Sequence, residues 1–188
     1  TRPGENYRLT DVDLASRLSF FLGAVGPDEE LLGLAEEGRL SDPEVLEAQV
    51  LRMLADPRSE ALSTRFASQW LRLQDAKKNN PDLYLYPDFT GQLGDDMMRE
   101  TQLFFDHLVR EDRGFLELLT ADYTFVNERL ARHYGIEDVS GDEFRRVSYP
   151  DESRRGVLGH GSVLLLTSMS DRTSPVLRGK WVMEVLMG

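Results

Sequence analysis

Apolar residues recur at spacings of three and four along almost the whole of this 188-residue chain. That period lays one greasy stripe along a helix, so helices packed on helices are the fold it permits. Leu14, Leu18, Phe21 and Leu22 form the first stripe, behind Thr10 as a cap. Gly26-Pro27-Asp28-Glu29-Glu30 is a start signal, because proline suits a first turn and acids suit the positive helix end. That helix passes Leu31, Leu34 and Ala35 and stops at Gly38. Ser41 with Glu44 reads as a capping box that opens a helix carrying Leu46, Val50, Met53 and Leu54. Pro57 punctuates it. Leu62, Phe66, Trp70 and Leu73 form the next stripe.

The longest helix should run from Gln92 to Arg110, with Leu93, Met97, Thr101, Phe104, Phe105 and Leu108 inward. Phe115, Leu116, Leu118 and Leu119 make a short element. Val126, Leu130 and Tyr134 mark a helix that ends at Gly135, a normal terminal glycine. Ser174-Pro175 caps and starts a final helix with Val176, Leu177, Trp181, Val185 and Leu186. Three stretches break the helical period. Residues 74–90, QDAKKNNPDLYLYPDFT, are long for a connection, and their aromatics suggest an ordered loop. Residues 144–149 alternate apolar and polar, a weak strand signal. Residues 154–168, RRGVLGHGSVLLLTS, interleave Gly156, Gly159 and Gly161 with apolar residues, which lets another backbone approach closely. The fold expected is all-α, an irregular bundle of about seven or eight helices, with room for one short strand pair near 144–149.

Charge is unevenly spread. Residues 1–142 carry 28 acids and 15 bases, whereas residues 143–188 carry 5 and 7, for a net −11 overall. We therefore expect an acidic helical domain over 7–135, a linker or short hairpin over 136–151, and a mildly basic segment over 152–188 packed on that domain. Binding to a nucleic-acid backbone needs clustered positive charge, which this balance disfavours. No apolar run approaches the roughly 20 residues of a membrane span. The chain has no cysteine, which excludes disulfides, thiolate zinc sites and covalent c-type haem within these residues. It stops within a helix, so we expect a piece of a longer protein.

Few residues carry a chemical signal. The histidines, His107, His133 and His160, lack the spacing of HExxH or ExxH metal sites, so no metal ligand is assigned. Glu100 and His107 share a helix face and read as a half-buried polar pair. His133 reads as a cation near a helix C-terminus. His160, in GHGS, reads as an accessible histidine in a packed glycine-rich segment, since G-x-S-x-G is absent. Asp95-Asp96 reads as a solvated helix face, and Met53, Met97 and Met183 as core filling. The densest polar cluster is Arg172, Thr173, Ser174, Arg178, Lys180 and Trp181. It suits either a clamp on the acidic body or a site for an anion, because guanidinium forks bind carboxylates well. His160, Arg172, Arg178 and Trp181 are thus the candidate cofactor-side residues, and Tyr84, Tyr86 and Phe89 a candidate interaction platform. No catalytic residue is assigned, and the reading leans away from an enzyme.

Three strings are distinctive: ADYTFVNERLARHYG at 121–135, RGVLGHGSVLLLTS at 155–168 and TSPVLRGKWVMEVLMG at 173–188. With the early YRLTDVDLASRLSFFLG they resemble planctomycete-type cytochrome-associated domains of unknown function. The likeness is to a helical domain followed by the opening of a cytochrome-like module. The resemblance implies an extracytoplasmic protein involved in electron transfer. Its covalent haem c would be attached downstream of this chain, with no cofactor inside it. It implies a non-catalytic helical module that supports or docks a haem-bearing segment or redox partner. Two other classes compete: a carbohydrate-binding or hydrolase-associated module using the 74–90 aromatics, and an acidic scaffold for a basic protein. Leu164, Leu165, Leu166 and Val182 are expected to be exposed if the tail lacks partners, which would favour a homodimer through residues 156–188.

Overall fold

The computed structural model describes residues 8–188, which form two compact units, one ending at Phe66 and one spanning Ala67–Gly188. The expected domain start at residue 7 lies outside the described residues.

The first unit is a small helical array. Helix α1 (Asp11–Gly23) starts at Thr10, whose hydroxyl oxygen accepts from the Asp13 amide, and closes at Ala24 in the left-handed region. Helix α2 (Glu29–Glu36) is capped by Asp28, so Pro27 precedes the cap rather than lying in the first turn. Helix α3 (Pro43–Ala55) is capped by Asp42, not by Ser41. The reason is Pro43: with no N–H to satisfy, it takes the first helical position and makes its predecessor the cap. Ser41 instead donates its hydroxyl to Asp11. Ala15, Leu31, Ala35 and Leu40 form the closed core, with Leu14, Leu18, Leu34, Leu46 and Met53 around it. Phe21, expected inward, is half exposed and meets Phe66 edge-on at 5.1 Å. Asp28 also grips Arg52 through two hydrogen bonds of 2.7 and 3.0 Å, which hold its carboxyl below the usual range.

The stripe expected through Leu62, Phe66, Trp70 and Leu73 is not one helix. A π-helical turn covers Leu62–Ala67, helix α4 is only Ser68–Trp70, and Arg72 adopts φ 56° before a 3₁₀ turn over Leu73–Lys78. A π turn changes the angular step between residues. Leu62 and Leu73 therefore stay buried while Phe66 turns outward.

The second unit is organised by helix α5 (Gly91–Arg110), capped by Thr90. Leu93, Met97, Thr101, Phe104 and Leu108 are buried as the spacing predicts, but so are Asp96 and Glu100 beside them. After it come α6 (Glu117–Thr120), strand β1 (Tyr123–Val126), α7 (Glu128–Tyr134), strand β2 (Arg145–Ser148), α8 (Gly161–Leu166) and α9 (Pro175–Trp181). The strands pair antiparallel, with Tyr123 opposite Ser148 and Val126 opposite Arg145. Val126 therefore belongs to a strand and not to the helix that Leu130 and Tyr134 share. Ser174 caps α9 by accepting from the Leu177 amide. The described residues are predominantly helical with this one short strand pair, as the periodicity indicates.

One core joins the middle of the chain to its end. Leu71, Leu73, Phe104, Leu118 and Tyr123 pack with Val157, Val163, Trp181 and Val185. Leu93, Met97, Val126, Leu130 and Ala131 form a second cluster. Leu164, Leu165, Leu166 and Val182 are half-buried rather than exposed. On α9 and just after it, the outward residues are Val176, which is 80% exposed, Met183 and Met187. Gly156 has φ 49°, and a Cβ there would overlap the Leu118–Leu119 backbone. That close approach explains one of the tail's glycines.

Candidate functional site: a cleft beside a buried polar network

The inner face of α5 carries polar groups into the core. Glu100 is fully buried and accepts from the Thr124 hydroxyl and the Tyr134 hydroxyl, each at 2.6 Å. The Tyr134 oxygen in turn accepts the Gly161 amide at 2.7 Å. Thus α5, β1, α7 and the start of α8 meet at one carboxyl. Burial pushes this carboxyl up to about 7, against the lowering effect of its two hydroxyl donors. Burial likewise raises the Tyr134 and Tyr149 phenols.

One residue on, Thr101 shares its hydroxyl with His160 Nδ1 at 2.9 Å and Ser162 Oγ at 2.7 Å. His160 is fully buried against the Phe104 ring, at 4.9 Å between centroids. It is not the accessible histidine its glycine neighbours suggest: a side chain at Gly161 would overlap Met97 and the Tyr134 hydroxyl, so this glycine lets the start of α8 seat close against α5 with His160 inside. Burial, helped by the Arg154 charge, pushes its imidazole down to about 3. His160 is therefore neutral at ordinary pH. Its Nε2 has no hydrogen-bond partner among the described residues.

Beside this network lies a cleft of about 390 Å³. The loop after Asn79 makes one wall, and α8 with the turn at 168–173 makes the other. Hydrogen bonds across them hold the walls in place. The Asn79 amide donates to the Leu165 and Ser168 carbonyls, each at 2.7 Å, and the Asp82 amide to the Ser170 carbonyl at 2.8 Å. Phe89, Met97, Leu164 and Leu165 give apolar lining, and Arg154, Arg172, His133 and Asp88 add charge or polarity. Arg154 and Gly161 connect cleft and network: the Arg154 guanidinium lies 4.1 Å above the Tyr134 ring whose hydroxyl binds Glu100.

The sequence-predicted residues divide between these places. Arg172, Tyr86 and Phe89 meet at the cleft. Tyr84 is 98% exposed on the loop and does not line it. Trp181 is core, and its indole donates to the Leu71 carbonyl. The Arg178 Nε is buried without a partner among the described residues, away from the cleft lining. Asp96 is buried and paired with Arg129 at 2.6 Å, whereas Asp95 is the solvated one. His107 packs edge-on to Tyr123, 5.5 Å away, and is not the partner of Glu100. Desolvation and the Arg154 charge lower the His133 imidazole from its ordinary value, which works against the helix-end cation expected of it. Met183 is exposed, not core. Spacing gives Arg154 and Thr124 no role and reads Tyr134 only as part of an apolar helix stripe, since nothing local marks a hydroxyl or guanidinium that meets a distant carboxyl.

A family model described as PSD4, protein of unknown function (DUF1592), matches residues 9–136. Another, PSCyt3, protein of unknown function (DUF1588), matches residues 154–188. These are planctomycete cytochrome-associated domains of unknown function, in that order. Neither the curated proteins nor the solved structures contain a match. No helix among the described residues is long and apolar enough to cross a membrane.

Proposed function

The chain belongs to the PSD4 family, and from that membership we propose that it is a non-catalytic helical platform that fixes the beginning of a cytochrome-like segment. The observation that carries this reading is the shared core. Val157, Val163, Trp181 and Val185, all within the PSCyt3 match, pack with Leu71, Phe104 and Leu118 of the PSD4 match. A following segment whose first residues are built into this core inherits a fixed position and orientation. For electron transfer, fixed placement of a redox group next to a partner is the useful service a protein scaffold supplies. An extracytoplasmic location follows from the same reading.

The residues present do not fit covalent haem attachment, since the chain has no cysteine for the thioether bonds. The described residues also contain no group of three or more His, Asp or Glu placed to hold a metal. On this reading the haem-bearing segment lies outside these residues, and the chain's role is to position it. The exposed Val176, Met183 and Met187 offer the face for that segment, for a redox partner or for a second copy.

The test is to express the natural chain through about one further domain length, ~100 residues, with haem-maturation machinery. A reduced c-type absorption band is expected. A longer chain that folds but never acquires covalent haem sinks the cytochrome reading. A second reading has one favourable observation: Tyr84 and Tyr86 are exposed on the loop, as a sugar-stacking platform requires. Oligosaccharide titration monitored by tyrosine fluorescence, lost in Tyr84→Ala, tests it.

A further inference from the structure

We propose that the cleft beside α8 is a binding site for a small amphipathic carboxylate, with Arg154 and Arg172 holding its head group and Phe89, Met97, Leu164 and Leu165 receiving its apolar body. The inference rests on the cleft alone and is independent of the cytochrome reading.

Charge complementarity selects the anion. The molecule carries net −11, yet this cleft is lined by two guanidinium groups against a single carboxylate, Asp88. Elsewhere in the protein Arg52, Arg58, Arg113 and Arg129 each have a carboxylate within 3 Å. Arg154 has none within 4 Å among the described residues. It is half-buried, and one of its nitrogens donates to the Gly159 carbonyl at 2.7 Å. A guanidinium has five N–H donors in a planar fork, so an arm remains for a ligand. Packing over the Tyr134 ring at 4.1 Å fixes the orientation of that fork, which reduces the ordering cost of binding. Arg172 is the second cation on the lining, only loosely paired with Asp171 at 3.8 Å.

The apolar walls select the rest of the ligand. Clefts of a few hundred Å³ with greasy walls and a few placed polar groups are the usual form of small-molecule sites. An inorganic anion leaves Phe89, Leu164 and Leu165 uncovered. A neutral hydrocarbon gives the Arg154 arm that does not reach the Gly159 carbonyl nothing to bind. A molecule with both an apolar body and a carboxylate satisfies both.

The probe is sodium decanoate, compared with 1-decanol and decylamine, by calorimetry and by the methyl signals of the methionines. Decanoate should bind one to one, at least about tenfold more tightly than decanol, the effect of one good hydrogen bond to a charged group. The Met97 and Met169 methyls, which line the cleft, should shift, and those of Met53 and Met183 should not. Arg154→Gln should remove about tenfold of the decanoate affinity and leave decanol binding unchanged. Arg172 is exposed, so Arg172→Gln will fold, and it should weaken decanoate several-fold. Equal affinity for decanoate and decanol, binding of decylamine as tight as decanoate, no binding of decanoate, or shifts confined to Met183 and Met187 would each overturn the proposal.

Discussion

Trp70 and Trp181 hold each other's segments: the Trp181 indole donates to the Leu71 carbonyl at 3.2 Å, and the Trp70 indole donates to the Val185 carbonyl at 2.9 Å. These are the chain's two tryptophans, and they tie positions more than a hundred residues apart. Trp181 is also closed core, so its loss combines a cavity with a lost hydrogen bond. Trp181→Ala should cost about 3–5 kcal/mol of unfolding free energy, and Trp181→Phe about 1–2 kcal/mol. Urea denaturation followed by circular dichroism measures both. A Trp181→Ala variant within about 1 kcal/mol of the parent would mean that the tail is not part of the core.

Glu100 makes stability depend on pH in a direction opposite to that of most carboxylates. Burial pushes its carboxyl up to about 7 from an ordinary 4.5, so the folded state holds a proton that the unfolded chain releases. The stabilising contribution is complete below about 4.5 and is lost as pH rises to about 7. At roughly 1.4 kcal/mol per unit the loss is a few kcal/mol at most. Glu100→Gln should therefore gain stability relative to the parent as pH rises from 4.5 to 7, and hold that gain as a constant difference above it. A stability difference that is constant across this range would remove the assignment.

His160 acts on the other side. Burial pushes its imidazole down to about 3 from an ordinary 6.5, so the unfolded chain takes up a proton first as the solution acidifies. Its contribution is present above about 6.5 and is lost as pH falls towards 3. Proton–carbon correlation spectra of the folded protein should show no titration of the His160 ring between pH 5 and 8. A midpoint near 6.5 for that ring would contradict its burial.

Gly156 and Gly179 should answer oppositely to alanine. At Gly156 the backbone has φ 49° and the added carbon meets Leu118 and Leu119, so Gly156→Ala should destabilise by about 2–4 kcal/mol. At Gly179, inside α9, nothing lies within 4 Å of the added carbon, and Gly179→Ala should stabilise by up to about 1 kcal/mol. Thermal unfolding of the pair decides the point.

Arg129 and Asp96 form a pair whose carboxylate is the more buried member. Arg129→Met should cost about 1–3 kcal/mol, because the buried acceptor then loses its donor. Adding Asp96→Asn should recover part of that loss by removing the stranded charge. A double-mutant cycle reads the coupling, and a value near zero would make the contact incidental.

Local signals in this chain were readable where the physics is local. The cap at Thr10, the proline start at Pro175 and the buried stripe of Leu93, Met97, Thr101, Phe104 and Leu108 depend only on near neighbours. Strand β2 showed its alternation, but β1 did not declare itself. Tyr123–Val126 is only four residues long, and its partner lies some twenty residues away. Pairing of that kind depends on the partner, not on intrinsic preference. The break in the Leu62–Leu73 stripe is silent in the sequence for a related reason, since a π turn leaves no mark in the apolar spacing.

Sequence alone determined a helical, cysteine-free, acidic chain whose apolar stripes and caps set most helices near their observed places, and it identified the family through its long strings. Only tertiary structure decided which polar side chains are inside. Glu100 and Asp95 are both acids on α5, yet one is sealed under Thr124 and Tyr134 and the other reaches Lys77 in solvent. Likewise Arg154 borders a cleft while Arg155, next to it, pairs with Glu152. Charge and hydropathy are properties of a residue, whereas burial and pairing belong to whatever distant segment folds against it.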